Sequence, residues 1–346
     1  MEKITGLVTA LFTPMFFNGR IDWKSLEALV EFQSNHNAGV LSGGTTSESP
    51  TIQDVQEEID KLVIATAIGV PVVIGAGTYD TVHSLELTRR AVGNGADATL
   101  HVMGYYNKPS QRGVIDYFCE VAEAGPDTPV IMYHIPGRGA AEYLPETIVF
   151  LATEYKNING IKEASQSSIE VAKKVRELAD EHNVGISIMS GDDDKTYQMM
   201  ADSAIRGNGV ISVMSNLAPH MYAKLVELCE EGKLEEAEKL NNILTPLNKI
   251  VGMKVEDYVM IGGKTYNFID TYRNPQTVKI SAYILGMMPE LGFRSPMIEM
   301  PDNGIEAVGK ALLQVYDATD GEAFMPIQVF FSPSPSVGDR LKAYHD

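Results

Sequence analysis

The chain has 346 residues, 44% hydrophobic and 21% charged, which is the composition of a globular protein with room for a sizeable core. That balance excludes a disordered chain, a collagen-like repeat and a small disulfide scaffold. With 28 Lys+Arg against 46 Asp+Glu the net charge is −18, so a nucleic-acid partner or an anionic membrane surface is not expected.

In chain order, short apolar runs recur at Gly6–Leu11, Gly39–Leu41, Val72–Gly75, Ala98–Val102, Val130–Tyr133, Ile158–Lys162, Ile186–Ser190 and Gly209–Val213. The runs are continuous rather than alternating, as in strands buried on both faces. Between them, Asp22–His36, Gln53–Ala67, Gly113–Ala124, Pro145–Thr153, Ser168–Glu181 and Lys195–Ile205 place apolar residues at helical spacing. Eight strands alternating with helices predict a parallel α/β architecture. The number eight, and the lack of a Gly-x-Gly-x-x-Gly turn after the first strand, favour an eight-fold β/α (TIM) barrel over a doubly wound sheet.

From Leu217 the pattern becomes all-helical: Ala218–Glu231, Leu234–Ile250, Thr277–Met287 and Gly304–Tyr316. The expected organisation is a barrel over 1–216 and a C-terminal helical domain over 217–316. The prolines of the 317–346 tail argue against regular structure there. An arm wrapping a neighbouring subunit and a poorly ordered tail stay open as alternatives. The N-terminus lacks a signal peptide and no segment reaches 18 uninterrupted apolar residues, so a cytoplasmic location is expected. Cys119 and Cys229 read as core residues.

In such a barrel the C-terminal ends of the strands form the active site. The sixth strand ends at Lys162, where burial favours the neutral, nucleophilic amine; the plain alternative is a surface lysine. The fifth strand ends at Tyr133, a candidate proton relay, with Arg138 close behind as a carboxylate clamp. The second strand runs into Gly43-Gly-Thr-Thr-Ser-Glu48, whose hydroxyls and backbone N–H groups suit a carboxylate. Tyr105 and Tyr106 follow the fourth strand, where aromatic packing is the more frequent role of paired tyrosines. Asp192, Asp193 and Asp194 read as a capped helix start rather than a metal cluster, and the seven histidines show no ligand spacing. An amine, a phenol, a carboxylate cradle and an arginine on one rim suit Schiff-base chemistry on a 2-oxo acid.

Several motifs in order resemble the dihydrodipicolinate synthase and N-acetylneuraminate lyase family of class I pyruvate-dependent aldolases. They are Thr13-Pro-Met, Gly44-Thr-Thr-Ser-Glu-Ser49, Tyr105-Tyr-Asn-Lys-Pro-Ser-Gln111, Tyr133-His-Ile-Pro-Gly-Arg138, Ile161-Lys-Glu-Ala164, Ser190-Gly-Asp-Asp193 and Gly209-Val-Ile-Ser-Val213. The resemblance implies Lys162 as the Schiff-base lysine and Tyr133 as the proton relay. It implies Thr45 as a link between Tyr133 and Tyr106, the latter reaching in from a neighbouring subunit of a homotetramer. It further implies Thr46 at the pyruvate carboxylate, Arg138 at the carboxylate of the aldehyde partner and Ile211 lining the pocket. No metal and no separate cofactor are implied.

The Thr45–Thr46 pair, the Tyr-Tyr-Asn-Lys-Pro-Ser-Gln run and Arg138 resemble the synthase branch, which joins pyruvate to aspartate 4-semialdehyde on the lysine pathway. Another aldolase of the family, or a non-enzymatic barrel that only binds ligand, are the alternatives. Ser47, Gly104 and Gly139-Ala140 depart from the synthase pattern, and residues 254–272 look inserted. Tyr79 and His83 stand where the family's lysine-binding residues are expected, so inhibition by lysine is not anticipated.

Overall fold

A computed structural model of the chain describes residues 1–345. Eight parallel strands close the expected barrel in sequential order: β1 (Gly6–Ala10), β2 (Gly39–Ser42), β3 (Val72–Gly75), β4 (Ala98–His101), β5 (Val130–His134), β6 (Ile158–Glu163), β7 (Ser187–Ser190) and β8 (Gly209–Ser212). The strands are short, and almost every residue in them is buried, because side chains fill the barrel inside and pack under helices outside. Val8, Leu41, Val73, Leu100, Ile131, Met189 and Ile211 form the interior stack, with Tyr133 among them. Closure between β1 and β8 requires glycine: Gly209 has φ +137°, and a Cβ there would lie 2.0 Å from the Gly6 carbonyl oxygen.

The outer layer comprises α1 (Trp23–Ser34), α2 (Gln56–Thr66), α3 (Thr81–Asn94), α4 (Gln111–Ala124), α5 (Pro136–Gly139), α6 (Pro145–Glu154), α7 (Ser168–Glu181) and α8 (Thr196–Ala201). Helix α3 was not anticipated from the apolar periodicity. Its caps fix it instead: the Asp80 side chain accepts from the Val82 N–H at 2.9 Å, and Gly95 ends it at φ +96°.

Beyond the barrel come α9 (Pro219–Glu230), α10 (Leu234–Lys249), α11 (Gln276–Ile284) and α12 (Asp302–Ala318). The all-helical expectation for this region needs correction. The apparent insertion is a two-stranded antiparallel hairpin, β9 (Gly252–Ile261) and β10 (Lys264–Arg273), turning at Gly262-Gly263. The tail is also regular, with α13 (Met325–Phe331) and α14 (Val337–Leu341). Pro326 occupies the first turn of α13, where its missing N–H costs nothing, and Pro333 and Pro335 lie in the linker. Phe324, Ile327, Val337 and Leu341 are buried, and Phe330 and Phe331 lie 5.5 and 5.3 Å from the Phe32 ring. The tail therefore packs on α1 of its own chain. Among the described residues no helix is long and apolar enough to cross a membrane.

Candidate active site

Strand register sets the centre of the site. Tyr133 on β5 pairs with Lys162 on β6, so both side chains project to the same side at the same level. Both are buried, and the Lys162 Nζ lies 4.4 Å from the centroid of the Tyr133 ring. They line an inner cavity of about 100 Å³ together with Thr45, Thr46, Arg138, Asp192 and Asn274. A second cavity of about 270 Å³ shares Thr45, Tyr133, Ile135, Arg138 and Asn274 and extends outward past Glu48, Tyr105, Pro275 and Met297. The arrangement is a small chamber adjoining a wider, largely apolar cavity.

The loop after β2 forms the cradle. Gly75 approaches it so closely that a Cβ would sit 2.2 Å from the Gly43 carbonyl oxygen. Ser47, one of the departures, is buried, and its hydroxyl donates to the Leu11 carbonyl at 2.8 Å. The Ser47 carbonyl in turn accepts from the Thr13 hydroxyl at 2.8 Å, tying the loop to the end of β1. Glu48 adopts φ +60° and forms a buried ion pair with Lys279 of α11 at 2.5 Å. Burial pulls the Lys279 pKa down, and the Glu48 carboxylate opposes that shift.

Asn274 was absent from the expected site residues, yet it joins Thr46 and Arg138. Its Nδ2 donates to Thr46 Oγ1 at 2.9 Å, and its carbonyl accepts from Arg138 Nη2 at 3.1 Å. Its Oδ1 is buried with no hydrogen-bond partner among the described residues. Asp192 is the second residue the sequence reading did not place at the site. Its carboxyl pKa is raised to about 6 by burial and by Asp194, with Lys162 acting in the opposite direction. Asp193 belongs to the scaffold: its Oδ2 accepts from the Val213 and Met214 N–H groups at 3.0 and 3.1 Å.

Two expected residues are not brought to the chamber within one chain. Tyr106 is 90% exposed, while its neighbour Tyr105 lines the wider cavity and bonds Thr78 Oγ1 at 3.1 Å. Ile211 is fully buried in the barrel interior and lines neither cavity. Gly104, where the synthase pattern has proline, takes φ +59°, which a proline held near −65° could not adopt. Among the described residues no hydrogen bond joins Thr45 to Tyr133, and no group of three or more His, Cys, Asp or Glu is placed to hold a metal ion.

Behind Tyr133 and Lys162, on the outer side of β5 and β6, lies a polar group in which His134 and Glu163 are buried and Glu142 is exposed. His134 Nδ1 is 2.7 Å from Glu163 Oε2, and its Nε2 is 3.0 Å from Glu142 Oε2. Glu163 Oε1 accepts from the Ser165 N–H at 2.7 Å, and Tyr143 stacks on the imidazole at 5.1 Å. Burial lowers the imidazole pKa, but the two carboxylates outweigh it and leave the value raised.

Residues 3–315 match the model of the dihydrodipicolinate synthetase family. The 4-hydroxy-tetrahydrodipicolinate synthase of Sulfurihydrogenibium sp. (strain YO3AOP1) is 36% identical over 313 residues, covering 89% of this chain and 97% of that one. The enzyme of the same name from Pseudomonas savastanoi pv. phaseolicola is 37% identical, covering 90% and 98%. Among solved structures, dihydrodipicolinate synthase from Thermotoga maritima superposes with a TM-score of 0.79 at 31% identity, covering 90% of this chain and 98% of that one.

Proposed function

The chain belongs to the dihydrodipicolinate synthetase family, and from that premise we propose that it condenses pyruvate with aspartate 4-semialdehyde on Lys162 to give 4-hydroxy-tetrahydrodipicolinate. The observation that carries this reading is the buried Lys162 amine seated over the Tyr133 ring in a small chamber whose wall includes Thr46.

Lys162 Nζ attacks the pyruvate ketone, and the carbinolamine loses water as Tyr133 delivers the proton to the departing oxygen. Thr46 and the adjoining backbone hold the pyruvate carboxylate, which fixes the methyl group toward the entrance. Tyr133, left as the phenolate, takes a methyl proton to give the enamine, with the iminium nitrogen taking up the electron pair. The enamine carbon bonds to the aldehyde carbon, and the new alkoxide takes its proton from Tyr133. The amino group of the semialdehyde then displaces Lys162 from the imine carbon, closing the ring and freeing the lysine. The balance is one water released per pyruvate and aldehyde joined, and the reaction needs no metal or organic cofactor.

Arg138 at the boundary of the two cavities suits the second carboxylate, that of the aldehyde partner. Its guanidinium is steadied through the Asn274 carbonyl. Thr45 and Tyr106 form the rest of the proton path in this reading. With Tyr106 exposed in a single chain, a neighbouring subunit of a homo-oligomer completes the site. The enzyme acts in the cytoplasm on soluble metabolites.

The test is a substrate panel. Pyruvate is supplied with aspartate 4-semialdehyde, and N-acetylneuraminate and 2-keto-3-deoxygluconate are offered for cleavage. Turnover with the semialdehyde alone is expected. Cleavage of either sugar acid without semialdehyde activity would move the chain to another branch of the family, and pyruvate binding without any turnover would make it a ligand-binding barrel.

A further inference from the structure

The β9–β10 hairpin is held at its base and bare beyond it. Val255 and Tyr272 are buried, Asn303 of α12 donates to the Glu256 carbonyl at 3.0 Å, and the Tyr272 hydroxyl bonds Asp257 at 2.9 Å. Farther out, Tyr258, Met260, Ile261 and Ile269 are each about 60% exposed. The register sets Val259 opposite Tyr266 on one face and Tyr258 opposite Asn267 on the other, so both faces of the ribbon carry apolar side chains. A lone two-stranded ribbon in water is marginal, and both outer edges offer unpaired N–H and C=O groups. The sequence invests in an apolar surface that its own chain does not cover.

Charge indicates what covers it. Between 252 and 273 the charged residues are Lys254, Lys264 and Arg273 against Glu256, Asp257 and Asp270, a net of zero in a chain of −18. Two such chains repel over most of their surfaces, and the arm is where they can meet without that cost. Sixteen of its 20 strand residues are exposed, approaching the about 20–30 residues of one side of a standard interface. A ribbon with free edges is also suited to lie antiparallel to an identical ribbon about a two-fold axis, as a self-complementary interface requires.

We propose that the β9–β10 arm is a self-association surface that docks against the same arm of a second copy of this chain. Sedimentation velocity compares the full chain with an Ile261→Glu/Ile269→Glu variant, with circular dichroism confirming that the barrel remains folded. The expected result is a fall of the particle mass to half. A Tyr258→Cys variant treated with a short bis-maleimide provides a second readout that leaves the arm folded, and cross-linked dimers are expected from it. An unchanged mass in the charged variant, a monomeric full chain, or an oligomer that gives no cross-link through position 258 would overturn the proposal. So would a monomeric chain whose arm instead binds lipid vesicles or a different protein.

Discussion

Asn274 connects the two sides of the site through two hydrogen bonds, one to Thr46 and one from Arg138. In the sequence it stands 228 positions from Thr46, so no local spacing reveals the partnership. Lys162, Tyr133 and Arg138 are legible because each sits at or just after the end of an apolar run, where a barrel gathers its chemistry. Asn274 precedes a helix of the C-terminal region, where that rule gives no signal. Replacing it with alanine removes one hydrogen bond to Thr46, with a net worth of about 0.5–1.5 kcal/mol. Steady-state kinetics of an Asn274→Ala variant should show KM for pyruvate raised roughly 2- to 12-fold with kcat less affected. An unchanged KM would mean that Thr46 keeps its place without this bond.

Among the elements, the adjacent strands β5 and β6 carry two cross-strand pairs in succession, Tyr133 with Lys162 on the inside and His134 with Glu163 on the outside. The polar outer pair clamps the same two strands that carry Tyr133 and Lys162. His134 has its folded-state pKa raised above 6.5, with Glu163 and Glu142 as the charged groups facing it and Tyr143 stacked on its ring. A raised pKa means that the stabilisation is fully present below about pH 6.5 and is lost as pH rises through the folded value. Melting curves of the parent chain and a His134→Gln variant should therefore differ most at pH 6 and converge toward pH 9. A gap that stays constant across that range would show that the imidazole contributes no charge to the clamp. Periodicity identified the strands because both faces are buried. The hairpin escaped the same test because Lys254, Glu256, Asp257, Asn267 and Asp270 interrupt its apolar residues, in a stretch flanked by helices.

At the scale of the whole molecule, the C-terminal helices and the tail share one apolar cluster with α1 and α2 of the barrel. The tail's three prolines pointed away from regular structure when read alone. The packing of Phe330 and Phe331 on Phe32 depends on a surface assembled about 300 residues earlier in the chain, as the ring pairs record. Phe324 is fully buried within that cluster. A Phe324→Ala substitution is expected to cost about 3–5 kcal/mol and to lower the denaturation midpoint of the entire chain in a single transition. A loss under about 1 kcal/mol, or an early separate transition of the tail, would mean that the tail is not part of the common core.

All of these features converge on one buried amine at the barrel mouth, and its reactivity can be read directly. The chain and a Lys162→Ala variant are incubated with pyruvate and borohydride, digested, and the peptides analysed by mass spectrometry. The account predicts a reduced pyruvate adduct on the peptide containing Lys162 and none in the variant. A folded parent chain that forms no adduct, or forms it on a different lysine, would contradict it.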